Sequence, residues 1–153
     1  MYDRGTVDVG TLAKLAAGCT EALQERLDAL QELGGKLAAL DGATCTGNEW
    51  WRDKTHPTKT PKLYILHSVN AACPLHGEPS PGGRLRVYVG SDPAKIEAAR
   101  EAIAREETRQ EWERELAGIQ RGLSSCAYYL RSFYRELGYT IGDVGDGGQP
   151  RKW

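Results

Sequence analysis

Two stretches of this chain space their apolar residues at alternating steps of three and four, the pattern of helices that pack side by side. In the first, Leu12, Ala16, Cys19, Leu23, Leu30, Leu33, Leu37 and Leu40 form one seam, interrupted only by Arg26. In the second, Trp112, Leu116, Ile119, Leu123, Cys126, Leu130, Phe133 and Leu137 form another. The spacing predicts helices over 9–40 and 92–137. Gly34-Gly35 weakens the first by roughly 2 kcal/mol relative to alanines. The seam stays in phase across that pair, so one bent helix is expected. Ser91-Asp92-Pro93 starts the second helix with a capping side chain and a proline at the first helical position, and Gly138 is placed to end it. Ile96, Ala99 and Ile103 keep an earlier seam that is out of phase with Trp112. The slip predicts a kink, a bend or a change of packing partner between them. Cys19 and Cys126 fall on the seams and read as buried small hydrophobes.

Between the helices the period changes. Residues 63–69 read as a strand, and 84–89 as its partner, with Leu85, Val87 and Val89 on one face and Arg84, Arg86 and Tyr88 on the other. Leu63, Ile65 and Val69 supply the matching apolar face. Residues 41–61 are polar and aperiodic, with Trp50-Trp51 in the middle, and a loop of that length is usually functional or metal-tied. The expected fold is therefore mainly α with a small β-hairpin. Two long amphipathic helices pack as an antiparallel helical hairpin or coiled coil and flank a two-stranded antiparallel hairpin. The parts are an N-terminal extension 1–8, a helix–hairpin–helix domain 9–138 with polar loop 41–61 and β-hairpin 62–90, and a flexible Gly/Asp-rich tail 139–153. A chain of 153 residues suits one core. In its order of elements the chain resembles the smaller type of prefoldin subunit, a helical pair joined through one β-hairpin. The polar loop, a Cys-x2-His turn and the tail depart from that family, and its chaperone activity is not carried over.

The net charge of −1 hides a segregation. Residues 1–49 hold four Lys/Arg against eight Asp/Glu, whereas residues 50–91 hold six against two, together with all three histidines. The middle of the chain is thus the expected contact surface for an anion. Arg84, Arg86 and Tyr88, opposite Tyr64 and downstream of Lys54, Lys59 and Lys62, combine cations for phosphates with rings for bases. The alternative is a solvated sheet face with an ordinary Tyr–Arg cross-strand pair.

Cys73-Pro-Leu-His76 sets a thiol and an imidazole on one tight turn, which suits tetrahedral zinc. Cys45 and His56, from the long loop, are the expected remaining ligands, with His67 competing. The alternative is a Cys73 that packs beneath the hairpin tip. Trp50 and Trp51 cannot both face one core, so they read as a partner contact or as a lid across the helices. No phosphate-binding glycine loop, Gly-x-Ser-x-Gly or His-Glu-x-x-His occurs, and no third group orients a Cys73–His76 pair, so no enzymatic role is expected. No stretch has the length of apolar sequence that crosses a bilayer, and the first residues lack an apolar signal core; a cytoplasmic protein is expected. The leading expectation is a nucleic-acid-binding accessory protein, contacting DNA or RNA through the basic hairpin and assembling through its helices. Its rival is a coiled-coil adaptor or homo-oligomer with no nucleic-acid role.

Overall fold

The computed structural model describes residues 8–68, 72–79, 83–140 and 151–152. Within these, the order is helix α1 (Val9–Ala38), strands β1 (Asn48–Arg52), β2 (Lys62–Leu66) and β3 (Arg86–Gly90), helix α2 (Pro93–Glu136), and two short strands, β4 (Tyr139–Thr140) and β5 (Arg151–Lys152). Val69, the turn residues Ser80, Pro81 and Gly82, the extension 1–7 and most of the tail lie outside the described residues.

The helix ends follow their caps. Asp8 accepts the Thr11 N–H at 2.8 Å and the Thr11 hydroxyl at 3.1 Å, satisfying donors that the first turn of α1 leaves free. Asp92 accepts the Ala94 N–H at 3.0 Å beside Pro93. Gly138, at φ 78°, ends α2 with its N–H on the Arg135 carbonyl. α1 runs through Gly34-Gly35 without a break.

The chain divides into two compact units, Lys36–Arg114 and the remainder. The boundaries fall beside Gly35 and between Arg114 and Glu115, so the two halves of α2 belong to different units. In the unit Lys36–Arg114 the hairpin expected over 62–90 is a three-stranded antiparallel sheet in the order β1-β2-β3. The third strand, β1, comes from the segment expected as a loop and contains both tryptophans. It pairs Trp50 with Tyr64 and Trp51 with Leu63. Between β2 and β3 the register shifts by a bulge, with Tyr64 opposite Tyr88 and Leu63 opposite Gly90.

One sheet face lies on the first half of α2. Ile65 is fully buried in a cluster with Cys45, Cys73 and Ala102, against which Val87, Val89, Ala99 and Ile103 pack. Leu63, also fully buried, lies on the same face by strand alternation. Each such side chain contributes about 1.5–3 kcal/mol through burial.

In the other unit, α1 and the second half of α2 bury little. Leu33 and Ile119 are buried, but Leu12, Leu27, Leu130, Phe133 and Leu137 are exposed. A cleft of about 750 Å³ separates Cys19, Leu23 and Arg26 from Ile119, Leu123 and Leu130. Cys19 and Cys126, expected as core residues, are exposed on its walls. The seams therefore do not close as a coiled coil along this stretch. β4 and β5 pair antiparallel, Tyr139 with Lys152 and Thr140 with Arg151. Among the described residues no helix is long and apolar enough to cross a membrane.

Candidate functional site

The unit Lys36–Arg114 brings two sets of chemically informative residues together, one inside and one on its surface. The internal set begins at Cys45, just before β1. Its backbone N–H donates to the Ala102 carbonyl of α2 at 3.0 Å, which fixes the thiol beneath the sheet. Two residues on, the Gly47 N–H donates to Cys45 Sγ at 3.4 Å. His67 follows β2 and extends its pairing by one residue, its backbone N–H reaching the Leu85 carbonyl at 2.9 Å. The same carbonyl lies 3.2 Å from His67 Nδ1. A carbonyl can only accept, so Nδ1 carries the proton and Nε2 presents a lone pair to the interior.

The second half of the set is a tight turn. Cys73 and Gly77 exchange both backbone hydrogen bonds at 2.8 Å, closing a loop around Pro74, Leu75 and His76. Gly77 sits at φ 81°, a left-handed conformation that glycine adopts without the Cβ penalty. The turn holds Cys73 Sγ 3.6 Å from His76 Nδ1.

These four side chains converge. Cys45 Sγ lies 3.4 Å from His67 Nε2, 3.6 Å from His76 Nδ1 and 3.8 Å from Cys73 Sγ. His76 Nδ1 and His67 Nε2 are 3.3 Å apart, and all four donor atoms fall within 4.8 Å of one another. Cys45, His67 and Cys73 are buried and His76 is half-buried. The cluster could hold a metal ion. Burial is the largest influence on both thiols, and it pushes Cys45 up to about 11. At Cys73 burial is outweighed by hydrogen bonds from the Thr46, His76 and Leu75 backbone and the His67 ring, which bring it down to about 6. A bound cation reverses the burial penalty, because it neutralises the charge that burial disfavours.

Of the expected ligands, Cys45, Cys73 and His76 are in the cluster. His56 is not. It lies exposed in the β1–β2 turn, with its N–H on the Asp53 carbonyl and its ring accepting the Thr58 N–H at 3.3 Å. His67, the competing ligand, takes its place. The alternation of β2 carried the signal: 63, 65 and 67 share a face, and that face is the buried one. Gly47 also escaped the sequence reading. A Cβ there would meet Ile65 and stand 2.9 Å from His67 Nε2, so only glycine leaves room for the ring.

The surface set lies on the opposite face of the sheet. Trp50, Tyr64 and Tyr88 form a row across β1, β2 and β3, with ring centroids 5.5 Å and 5.0 Å apart. The Arg86 guanidinium sits over Trp50, 5.4 Å from the ring centre. Arg52 and Lys62, paired across β1 and β2, are exposed on the same face by strand alternation. Arg84 is exposed just ahead of β3, and Lys59 in the β1–β2 turn. Trp51 takes the other face, as expected for adjacent strand residues. Its indole donates to Glu49 at 3.1 Å, Arg100 of α2 lies 5.9 Å from its ring, and Lys54 lies 5.8 Å from it. Arg100 also donates to Glu49 at 2.7 Å, which holds the Glu49 carboxyl below its ordinary range. Lys54 is thus engaged away from Arg86 and Tyr88, whereas Arg52, counted in the basic segment but not among the expected contact residues, joins them.

No protein-family model matches the chain, and neither a curated protein nor a solved structure is significantly similar to it.

Proposed function

We propose that residues 36–114 form a zinc-tied module that binds nucleic acid through the outer face of its sheet. The observation that carries this reading is the gathering of Arg52, Lys62 and Arg86 with three aromatic rings on one face, while Glu49 turns to the other and is occupied by Arg100. Phosphates are neutralised by such cations, and the affinity they provide is sequence-independent and salt-dependent.

Zinc suits the internal cluster on two grounds. A tetrahedron with metal–sulfur near 2.3 Å and metal–nitrogen near 2.0–2.1 Å has edges of about 3.8 Å between sulfurs, about 3.6 Å between sulfur and nitrogen, and about 3.3 Å between nitrogens. Five of the six donor separations, at 3.8, 3.4–3.6 and 3.3 Å, follow those edges, and the sixth, Cys73 Sγ to His67 Nε2, is within 4.8 Å. The hydrogen bond from His67 Nδ1 to a backbone carbonyl is the outer-shell contact that orients a metal-bound imidazole. With four protein ligands and a buried position the ion has a structural role: it ties the Cys45 loop, the end of β2 and the Cys73 turn together.

The test is binding of single- and double-stranded DNA and RNA by the full chain, with metal content determined on the same preparation. The reading expects one zinc per chain and binding that weakens as salt rises. Replacing both Lys62 and Arg86 by alanine lowers the slope of log K against log salt by roughly 1.4–1.8. No binding at low salt, or a slope indifferent to that double change, overturns it.

A second reading, self-association through the helices, rests on the exposed Leu12, Leu27, Leu130, Phe133 and Leu137 and on the open cleft between the seams. Light scattering of the wild type and of Leu130→Glu decides it. A concentration-independent monomer for both removes it.

A further inference from the structure

We propose that the outer face of the sheet is a stacking platform for unpaired bases, so that the ligand is single-stranded nucleic acid rather than a duplex. This rests on the nucleic-acid reading above and adds the part of the ligand that is recognised. Cations alone do not distinguish strands, because phosphates are present on both. The rings do. In a duplex each base face is covered by its neighbours in the stack, and a ring on a protein surface reaches only edges and backbone. An unpaired base can be laid flat on a side chain.

The row is built to be used this way. Trp50 is 39% exposed and Tyr88 57% exposed, although both belong to a sheet whose other face is a closed core. Large rings left open to water cost free energy that inward-facing positions would have recovered. Neighbouring rings meet at 62° and 53° rather than in parallel, so no ring covers another face to face. Tyr88 stands on β3, an edge strand, and is the most open position of the row. Tyr64, half-buried at the centre, sets the spacing of the other two.

The charges fit the same occupant. Arg86 lies beside Trp50 on one side of the row, and the Arg52–Lys62 pair lies on the other. An extended strand crossing the row would set its bases on the rings and its phosphates toward these cations. The Asp53 carboxylate, 3.9 Å from Arg52 Nε, follows the end of β1 and is outside the row. An acidic peptide would satisfy the cations but leave the rings without flat partners. The full complement of the face therefore favours a nucleic acid strand, with about two or three bases engaged at once.

The experiment compares four nucleic-acid probes, and polyglutamate as a fifth, on the full, metal-loaded chain: the four are oligothymidylate, oligouridylate, a duplex of the same length, and an abasic deoxyribose-phosphate strand with the same charge. Both base-bearing single strands are expected to bind roughly tenfold or more tighter than the abasic strand and the duplex, and to quench tryptophan emission through Trp50. Tyr88→Leu abolishes most of that advantage, and Tyr88→Phe, which keeps the ring, retains it. A difference between the thymidylate and uridylate probes assigns the natural strand to DNA or RNA. Equal binding of the abasic and base-bearing strands overturns stacking while leaving the nucleic-acid reading in place. Binding of none of the four probes at low salt overturns both. Polyglutamate that binds as tightly as the base-bearing strands assigns the face to an acidic protein partner instead. The comparison of probes on the wild type stands even where a Tyr88 variant fails to fold.

Discussion

Gly47 leaves vacant the space that the imidazole of His67 occupies. A Cβ at position 47 would stand 2.9 Å from His67 Nε2 and closer still to the Ile65 side chain. Neither neighbour can yield freely: Ile65 is fully buried, and the ring is held from behind by the Leu85 carbonyl. A methyl group added here displaces the His67 ring together with Ile65, which packs the core beside it.

Gly47→Ala is therefore expected to destabilise the unit Lys36–Arg114 by about 1–3 kcal/mol and to weaken metal retention roughly 10–100-fold, the usual effect of disturbing a ligand's support. Gly122→Ala makes the matching control. A Cβ there meets nothing within 4 Å, and the position is inside α2, so the same change stabilises by up to about 1 kcal/mol. Thermal unfolding and competition for zinc with a chromogenic chelator measure both variants. Equal effects at the two positions would remove the steric argument.

The ligand set makes its own discrimination among the histidines. Cys45→Ser, Cys73→Ser and His67→Ala are expected to lose the metal and lower the unfolding midpoint, and His56→Ala to keep both. Stripping the ion from the wild type with a chelator does the same as the first three, and readdition of zinc restores the midpoint. In zinc-finger peptides a structural zinc supplies apparent free energies of about 10–16 kcal/mol. A His56→Ala protein without metal would return the site to the loop.

The parts of the fold that follow from periodicity were legible in the residues. The caps at Asp92 and Gly138 and the strand alternation of β2 and β3 correspond to observed features. β1 was not legible, because its inward positions are Glu49 and Trp51 rather than aliphatic residues. They face α2 through Arg100, so no apolar alternation marks the strand. His56 was favoured over His67 because it sits in the segment that had no other explanation. The decisive fact was parity along β2, which puts His67 behind Leu63 and Ile65. The burial of Cys19 and Cys126 was inferred from seam position alone. Position on a seam implies burial only where the opposite helix closes on it, and here a cleft intervenes.

That difference in environment separates the four cysteines by reactivity. Cys19 and Cys126 are exposed, while Cys45 and Cys73 are buried in the cluster. A thiol-specific chromogenic reagent is expected to react promptly with Cys19 and Cys126 in the native protein. The other pair reacts only after chelation or denaturation, since access governs the rate as much as thiolate content. Mass mapping of the labelled residues identifies them. Early labelling of Cys73 in metal-loaded protein would count against a closed centre.

Glu106 gives the unit a pH dependence of its own, outside the Cys45, His67, Cys73 and His76 cluster. Its side chain is almost fully buried in α2 and accepts hydrogen bonds from Arg109 at 2.6 and 2.9 Å and from Gln110 at 2.8 Å. The Arg109 hydrogen bonds are the main cause of a carboxyl held at about 2 rather than 4.5, and they outweigh the burial that pushes it up. The same guanidinium reaches Glu113, and its own value is raised in return. Because the folded value lies below the unfolded one, the stabilisation is complete above about pH 4.5 and is lost as pH falls toward 2. A displacement from 4.5 to about 2 corresponds to about 3 kcal/mol at neutral pH. Acid would also release a metal held by the cluster, so wild type alone does not isolate this contribution. The gap between wild type and Glu106→Gln does. Denaturant unfolding should find the variant less stable by up to about 3 kcal/mol at pH 7, with the gap constant down to about pH 5 and narrowing below it. A gap that keeps its size through pH 3.5 would mean that the carboxylate charge is not what the Arg109 pair recognises.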